Sequence, residues 1–136
     1  MSVFEGFTAE ETAKVKAAGT KVRIPEGWSP IWESTPADKA YIVLSGEVSV
    51  RHQGREIARL GEGEIIGEAA ILNHSLRTAS IVAATPLELL HFTSDKLEQL
   101  VAEVPAFKKA LEDTAATRAA AAAQAGQAEQ SDEGSA

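Results

Sequence analysis

The sequence predicts a mainly β domain flanked by helices, with its strands arranged as an antiparallel β jelly-roll barrel or double-sheet jelly roll. Between Lys21 and Phe92, short segments rich in Val, Ile and Leu are separated by Gly, Pro and Asp at fairly even spacing. This spacing is typical of antiparallel all-β folds. A helix start signal precedes the region, and apolar residues at helical spacing follow it. We therefore expect one β domain with helices at both ends.

The N-terminal helix is predicted to begin with a capping box, in which the side chains of Thr8 and Glu11 each bond to the other's backbone N–H. It should end near Gly19. Gln53-Gly54 is expected to form a hairpin turn and Thr85-Pro86 a second break between strands. The predicted strands cover residues 22–24, 41–44, 47–51, 55–60, 80–84 and 87–92.

Two helical regions are expected after the strands. The first should be capped by Thr93 or Ser94, and Pro105 suits the first turn of the second. Apolar residues recur on one face of these helices and should pack inward: Leu97, Leu100, Val101, Val104, Phe107 and Leu111. The domain is expected to span residues 1–114. Residues 115–136 are predicted to form an alanine-rich helical extension to about residue 124 and then a disordered tail.

Composition limits the classes of function. The chain has 136 residues and no cysteine, so it can hold a real core but neither a disulfide framework nor a thiol nucleophile. It has no apolar run long enough to span a bilayer and no start typical of a secretory signal, which favours a cytoplasmic protein. The net charge of −7 argues against an electrostatic grip on nucleic acid.

The segment from Gly67 to Leu72, followed by Arg77, is the strongest indication of chemistry. If a short helix begins after Gly67, its first N–H groups favour an anion, which can approach the glycine backbone closely. The fork of Arg77 matches two phosphate oxygens. Glu68 would repel a phosphate unless it accepts a hydrogen bond from a hydroxyl of the same ligand, as the acid of dinucleotide folds does with ribose. A 3′,5′-cyclic nucleotide carries both groups.

This segment resembles the phosphate-binding cassette of the cyclic nucleotide-binding domains found in the bacterial catabolite activator, regulatory subunits of cAMP-dependent kinase and cyclic nucleotide-gated channels. The matching residues are Gly67, Glu68, Ala70, Arg77, Thr78 and Ala79. Residues 37–48 resemble the family's strand-turn-strand segment with its glycine, here Gly46. The resemblance extends from about Phe4 to about Leu111 and implies a jelly roll with a short cassette helix and a non-catalytic cyclic nucleotide sensor.

The resemblance also implies the rest of the binding site. In similar domains, strand residues lie under the base, cassette backbone groups meet the ribose and phosphate, and the final helix often covers the base. The corresponding residues here are Val50, Ile57 and Ala58 for the base, Ala69 and Ala70 for the ribose and phosphate, and Thr114, Thr117 or Arg118 for the cover. Thr78 can bond a phosphate oxygen or a purine edge, so it does not decide between ligands. We favour cAMP and keep cGMP as the alternative.

Other interpretations of the same residues remain. Glu68 could be an ordinary acid at a helix N-terminus and Arg77 a surface residue, which would leave an interaction module with a non-functional pocket. A small cupin-type barrel enzyme would need histidines and a carboxylate around a metal. The three histidines are scattered along the sequence, so neither a metal nor a cofactor is expected and an enzyme is not favoured.

A sensor of this kind would signal by moving the helices that follow Phe92. Too few residues follow for a DNA-reading helix-turn-helix, so we expect a partner protein or self-association, through the last helix or through Trp28 and Trp32. Exposed, these tryptophans would form an apolar patch that marks a partner surface. We expect them instead to pack within the domain, against the N-terminal helix or the base of the barrel. Similar domains often have Glu-Gly where this chain has Glu33-Ser34, so a turn with less extreme dihedrals is expected there.

Overall fold

The computed structural model describes residues 2–118, which form seven strands and four helices. Helix α1 covers Ala9–Ala18, α2 covers Glu68–Leu72 and α3 covers Ser94–Glu103. Residues 105–118 are helical and form α4. The strands are β1 (Thr20–Ile24), β2 (Lys39–Ser45), β3 (Val48–His52), β4 (Arg55–Leu60), β5 (Ile65–Ile66), β6 (Ser80–Ala83) and β7 (Leu87–Thr93). All six predicted strands are present, and the two-residue β5 was not predicted because it is too short to show a periodicity.

The strands pair into two antiparallel sheets. One has four strands in the order β1-β7-β2-β5, and the other has three in the order β4-β3-β6. Within the described residues the sheets close into no barrel, so the double-sheet alternative of the predicted jelly roll is the observed one. The hairpin between β3 and β4 turns at Gln53 and Gly54, whose φ angles are 52° and 80°. Both angles are positive, as a tight two-residue hairpin turn requires.

The helix caps agree with the sequence analysis. Thr8 and Glu11 form both bonds of the capping box, and Gly19 ends α1. Thr93 caps α3, because its side chain accepts a hydrogen bond from the Lys96 N–H at 3.2 Å. Since a good cap contributes about 1 kcal/mol, these residues define where the helices begin against the sheets.

Two apolar clusters hold the layers together. One lies between the sheets and includes Val43 and Leu89 from the larger sheet and Val48 and Ile81 from the smaller one. The other joins the opposite face of the larger sheet to the helices through these buried residues: Val15, Ile42, Phe92, Leu97, Leu100, Phe107 and Leu111. The larger sheet is therefore covered on both faces, and α4 is anchored to it near its N-terminal end.

The tryptophans depart from the expectation. Trp28 is 68% exposed and Trp32 is 63% exposed, so the prediction that they pack within the domain was wrong. Ile31 lies between them and takes the buried position in the inter-sheet cluster, which leaves its aromatic neighbours outside. Ser34 also adopts a left-handed φ of 66°, so the turn that it forms is as extreme as a glycine turn.

The predicted boundary at residue 114 falls inside α4, which continues to residue 118. The predicted helical extension to about residue 124 and the disordered tail lie outside the described residues. Within the described residues, none of the helices combines the length and the apolar character that crossing a membrane would require.

Candidate functional site

The candidate site lies where β5 and α2 meet the start of β2. Gly67 connects β5 to α2 with a φ of 85°, in the left-handed region that favours glycine. A Cβ atom at this position would lie 2.7 Å from Cδ1 of Ile31 and 2.8 Å from Nη1 of Arg77. Gly67 is therefore needed for its backbone conformation and for the space that the Arg77 guanidinium occupies.

Both the side chain and the backbone of Arg77 form hydrogen bonds to backbone groups of other residues. Its side chain, in a residue only 5% exposed, donates hydrogen bonds to the carbonyls of Gly67 and Lys39. Its own N–H donates to the Thr35 carbonyl at 2.9 Å, and its carbonyl accepts from the Ser34 N–H at 2.8 Å. Because a guanidinium has five N–H donors, two bonds to carbonyls leave donors for an anion.

The charge of Arg77 is buried but not isolated. Burial lowers the pKa of Arg77, and the negative charges of Asp38 and Glu68 act in the opposite direction. A guanidinium remains protonated in proteins even when buried. The site therefore contains a fixed positive charge close to a buried acid.

Glu68, the first residue of α2, is 4% exposed. Its Oε1 lies 2.9 Å from Nη1 of Arg118, whereas its buried Oε2 has no hydrogen-bond partner among the described residues. Burial raises the pKa of Glu68, and Arg118, the backbone N–H groups of Glu68 and Ala69, and Arg77 oppose that rise. An unsatisfied buried carboxylate oxygen costs free energy unless a donor reaches it.

Arg118 brings the far end of α4 to this acid. Besides the ion pair with Glu68, its Nη2 donates to the carbonyl of Ile65 on β5. Arg118 is one of the three residues expected to cover a base. Its pairing with Glu68 was not predicted, because helix phase and the position of α4 over the sheets cannot be read from periodicity.

A cavity of about 530 Å³ opens beside the Glu68–Arg118 pair, between the N-terminal segment, strands β4 and β5, and α4. The residues that line it are Ser2, Val3, Glu5, Ala58, Leu60, Glu64, Ile65, Ala110, Asp113, Thr114, Thr117 and Arg118. Four of them were named from the sequence as base or cover residues. Glu5, Glu64 and Asp113 add three carboxylates to walls that are otherwise mostly apolar, so the cavity suits an uncharged ring better than a second anion.

Some of the other predicted site residues lie outside the lining of this cavity. Val50 pairs with Ala58 across the β3–β4 ladder and packs against the inter-sheet cluster. Ile57 lies where the register of that ladder shifts, is 56% exposed and is outside the cavity lining. In the cassette, Ala70 is buried and Ala69 is exposed. Ile57 as a base contact remains a prediction.

The end of the cassette is held by His52 and Glu33, two residues that were not predicted from the sequence to lie at the site. Thr78 is exposed and Ala79 half-buried. The Thr78 carbonyl lies 3.1 Å from Nδ1 of His52, and the same nitrogen lies 2.8 Å from Oε1 of Glu33. These contacts tie the residue after Arg77 to the β3–β4 hairpin. No local sequence signal connects the three residues, because they are distant in the chain.

Within residues 2–118, no group of three or more His, Cys, Asp or Glu side chains is arranged to hold a metal ion. Arg77 and Glu68 are both outside the lining of the cavity, and Arg118 is the lining residue that contacts the Glu68 carboxylate.

Comparison with known proteins agrees with this geometry. The model of the cyclic nucleotide-binding domain family matches residues 21–104. The human potassium/sodium hyperpolarization-activated cyclic nucleotide-gated channel 4 is 33% identical over 88 residues, which are 65% of this chain and 7% of the channel. The Caenorhabditis elegans cGMP-dependent protein kinase egl-4 is 27% identical over 116 residues, which are 80% of this chain and 15% of the kinase. The chain thus spans less than a sixth of either relative.

Among solved structures, the Thermus thermophilus catabolite activator protein aligns with a TM-score of 0.80 and 28% identity, covering 90% of this chain and 60% of that one. Since the family model covers more than half of the residues, this chain belongs to the cyclic nucleotide-binding domain family.

Proposed function

We propose that this domain is a non-catalytic sensor that binds one cyclic nucleotide, with cAMP favoured, and signals by repositioning its C-terminal helices toward a partner or a second copy. The observation that carries the proposal is the buried Glu68 carboxylate with an unpartnered oxygen, together with the buried fork of Arg77, whose positive charge acts on that carboxylate. These two groups call for a ligand that offers both a hydrogen-bond donor and an anion.

The phosphate is assigned to Arg77. The guanidinium is already oriented by the carbonyls of Gly67 and Lys39, so binding an anion orders little of the side chain. Charge-assisted bonds to a phosphate from a buried, pre-oriented guanidinium are among the stronger polar contacts in proteins. Gly67 permits this orientation of the guanidinium, because a Cβ atom at Gly67 would lie 2.8 Å from Nη1 of Arg77.

The ribose hydroxyl is assigned to Glu68. In a 3′,5′-cyclic nucleotide the 2′-hydroxyl is the ribose oxygen left free to donate, and a carboxylate is an acceptor only. Oε2 of Glu68 lacks a donor in the described structure, so a hydroxyl there satisfies it. A ligand without this hydroxyl leaves the acid unsatisfied.

The base is assigned to the cavity of about 530 Å³ beside the pair. Ala58, Leu60 and Ile65 provide apolar walls, and the carboxylates of Glu5, Glu64 and Asp113 disfavour the phosphate there. These features support a ligand direction in which the phosphate lies toward Arg77 and the base toward α4.

The proposed site offers contacts to both cAMP and cGMP. Either purine presents amino hydrogens to the cavity carboxylates, and Thr78 offers a hydroxyl to either. One similar protein is named as a cGMP-dependent kinase, which keeps cGMP as the alternative ligand. We favour cAMP because the bacterial cAMP receptors of this family also carry a hydroxyl at the position of Thr78.

The output is assigned to α4 and to the exposed tryptophans. Helix α4 provides four cavity residues, namely Ala110, Asp113, Thr114 and Thr117, besides Arg118, so filling the cavity changes the surroundings of this helix. Trp28 and Trp32 provide exposed aromatic area of the kind that partner proteins bind.

Titration calorimetry of the purified chain with cAMP, cGMP and 5′-AMP tests the proposal. We expect binding of one cyclic nucleotide per chain, and much weaker binding of 5′-AMP, whose extra charge and free 3′-hydroxyl do not suit the site. The absence of heat with both cyclic nucleotides would contradict the proposal and favour an interaction module with a non-functional pocket.

A further inference from the structure

The two oxygens of the Glu68 carboxylate have different surroundings. Oε1 lies 2.9 Å from Nη1 of Arg118, whereas Oε2 is buried and has no hydrogen-bond partner among the described residues. A carboxylate with one oxygen held and the other free presents a single acceptor in a defined direction. The contact with Arg118 therefore leaves available the oxygen that the proposed function assigns to the ribose hydroxyl.

The guanidinium of Arg118 is itself held in place. Its Nη2 donates to the carbonyl of Ile65, a backbone group of β5 that does not rotate with a side chain. Because a guanidinium is planar, the directions of its two bonds are fixed relative to each other. Arg118 thus bridges a strand and the acid. The side chain of Glu68 is only 5% exposed, and a charge-assisted bond is stronger there than in water.

We propose that Arg118 is a positioning residue for ribose recognition, which orients the Glu68 carboxylate so that Oε2 can accept the 2′-hydroxyl of the ligand. This inference rests on the proposed function. Arg118 and the hydroxyl bind different oxygens, so both can be held by the same acid at once. Since the carboxylate is already oriented, binding the hydroxyl orders little of the Glu68 side chain.

Arg118 also favours the charged form of this acid. Burial raises the pKa of Glu68, and the charge of Arg118 opposes that rise most, ahead of the backbone N–H groups of Glu68 and Ala69 and the charge of Arg77. Within the described residues, Arg118 on α4 and Arg77 after α2 are the charged side chains that act on Glu68 in this way. A hydrogen bond to a charged carboxylate is roughly twice as strong as one between neutral groups. Removing Arg118 should therefore weaken the recognition of the hydroxyl in particular.

The ratio of the calorimetric affinities for cAMP and 2′-deoxy-cAMP measures this recognition. In the wild type we expect a ratio of about ten or more. Arg118→Gln should reduce it to about three, because halving the free energy of a contact takes the square root of the ratio. If Arg118 only shaped the cavity, its loss would lower both affinities together. An unchanged or larger ratio in a folded Arg118→Gln protein would overturn the inference.

Two further variants complete the comparison. Lys108→Gln is the matched control and should keep the wild-type ratio, because Lys108 lies on the same helix, is exposed and is outside the cavity lining. Arg118→Lys keeps the charge but not the planar fork, so its ratio should lie between those of the wild type and Arg118→Gln. Arg118→Lys carries the test if Arg118→Gln does not fold, and a wild-type ratio in Arg118→Lys would then overturn the inference.

The pH dependence of the same ratio provides a second readout. The ratio should fall as pH falls through the pKa of Glu68, because a protonated acid no longer offers a charged acceptor. In Arg118→Gln this fall should lie at higher pH, and the same profile in both proteins would contradict the positioning role. If the wild type bound neither cAMP nor cGMP, the proposed function would fail and this inference with it. A wild type that binds cAMP and prefers it to 2′-deoxy-cAMP, with the same preference in Arg118→Gln, would refute the positioning role alone.

Discussion

Replacing Arg77 separates its role in binding from its role in the fold. Arg77→Ala removes the fork assigned to the phosphate, and we expect binding of cAMP to weaken by about 2–5 kcal/mol, which is about thirty-fold or more. The same change leaves the carbonyls of Gly67 and Lys39 without their donor. Leaving two buried acceptors unsatisfied costs about 2–6 kcal/mol, against a total stability of about 5–15 kcal/mol for a typical domain.

Both quantities are measurable on the same protein. Urea denaturation gives the free energy of unfolding, and titration calorimetry at low temperature gives the affinity of the molecules that remain folded. Arg77→Lys retains the charge, but a single ammonium group cannot reproduce the planar fork, so we expect an intermediate loss of affinity. Arg59→Ala is the control, because Arg59 is half exposed and pairs with Glu56 at the surface of β4.

The result that would refute the reasoning is a folded Arg77→Ala protein with the affinity of the wild type. The phosphate would then be held elsewhere, and the buried guanidinium would serve only to join Gly67 to Lys39. A loss of stability without a loss of affinity has the same meaning.

Glu68→Gln should weaken cAMP binding by only about 1 kcal/mol, since the amide oxygen still accepts a hydrogen bond; much tighter binding in calorimetry would contradict the assigned role. Gly67→Ala should destabilise the fold and disturb ligand binding, because its Cβ would clash with Ile31 and Arg77; an unchanged melting temperature and affinity would contradict this. The free energy of unfolding should fall as pH rises through the folded-state pKa of Glu68, which burial raises above its ordinary 4.5. That contribution is fully present below the unfolded pKa and lost above the folded one, so acid titration of Glu68→Gln should lack it.

Local signals in the sequence predicted the strands, the caps and the short helix after Gly67. The capping box at Thr8 and the turn at Gln53 depend on neighbouring residues, so a linear sequence contains the information for them. The convergence of Arg77 and Glu68 on one ligand stays a prediction, which rests on the resemblance of a single continuous segment to a family.

Contacts between residues that are far apart in the chain could not be predicted from the sequence. The pairing of Arg118 with Glu68 depends on how α4 lies over the sheets, and the link from Glu33 through His52 to the Thr78 carbonyl joins two loops to the end of β3. Ile57 was expected under the base because the resemblance matches it to a strand residue that lies under the base in similar domains, but it lies at a register shift opposite β3 and is outside the cavity lining.

The tryptophans show a different limit of sequence reasoning. Aromatic residues are buried more often than not, so packing within the domain was the reasonable expectation for Trp28 and Trp32. The neighbouring Ile31 fills the buried position instead. Composition alone cannot decide which of several adjacent apolar residues points inward in an irregular segment.

The most direct test of the central claim is a calorimetric comparison of cAMP with 2′-deoxy-cAMP on the wild type and on Glu68→Gln. If the Glu68 carboxylate accepts the ribose hydroxyl, removing that hydroxyl should weaken binding to the wild type by about ten-fold or more and should matter much less in Glu68→Gln. An equal loss in both proteins, or no loss in the wild type, would contradict the assignment of Glu68 to the ligand.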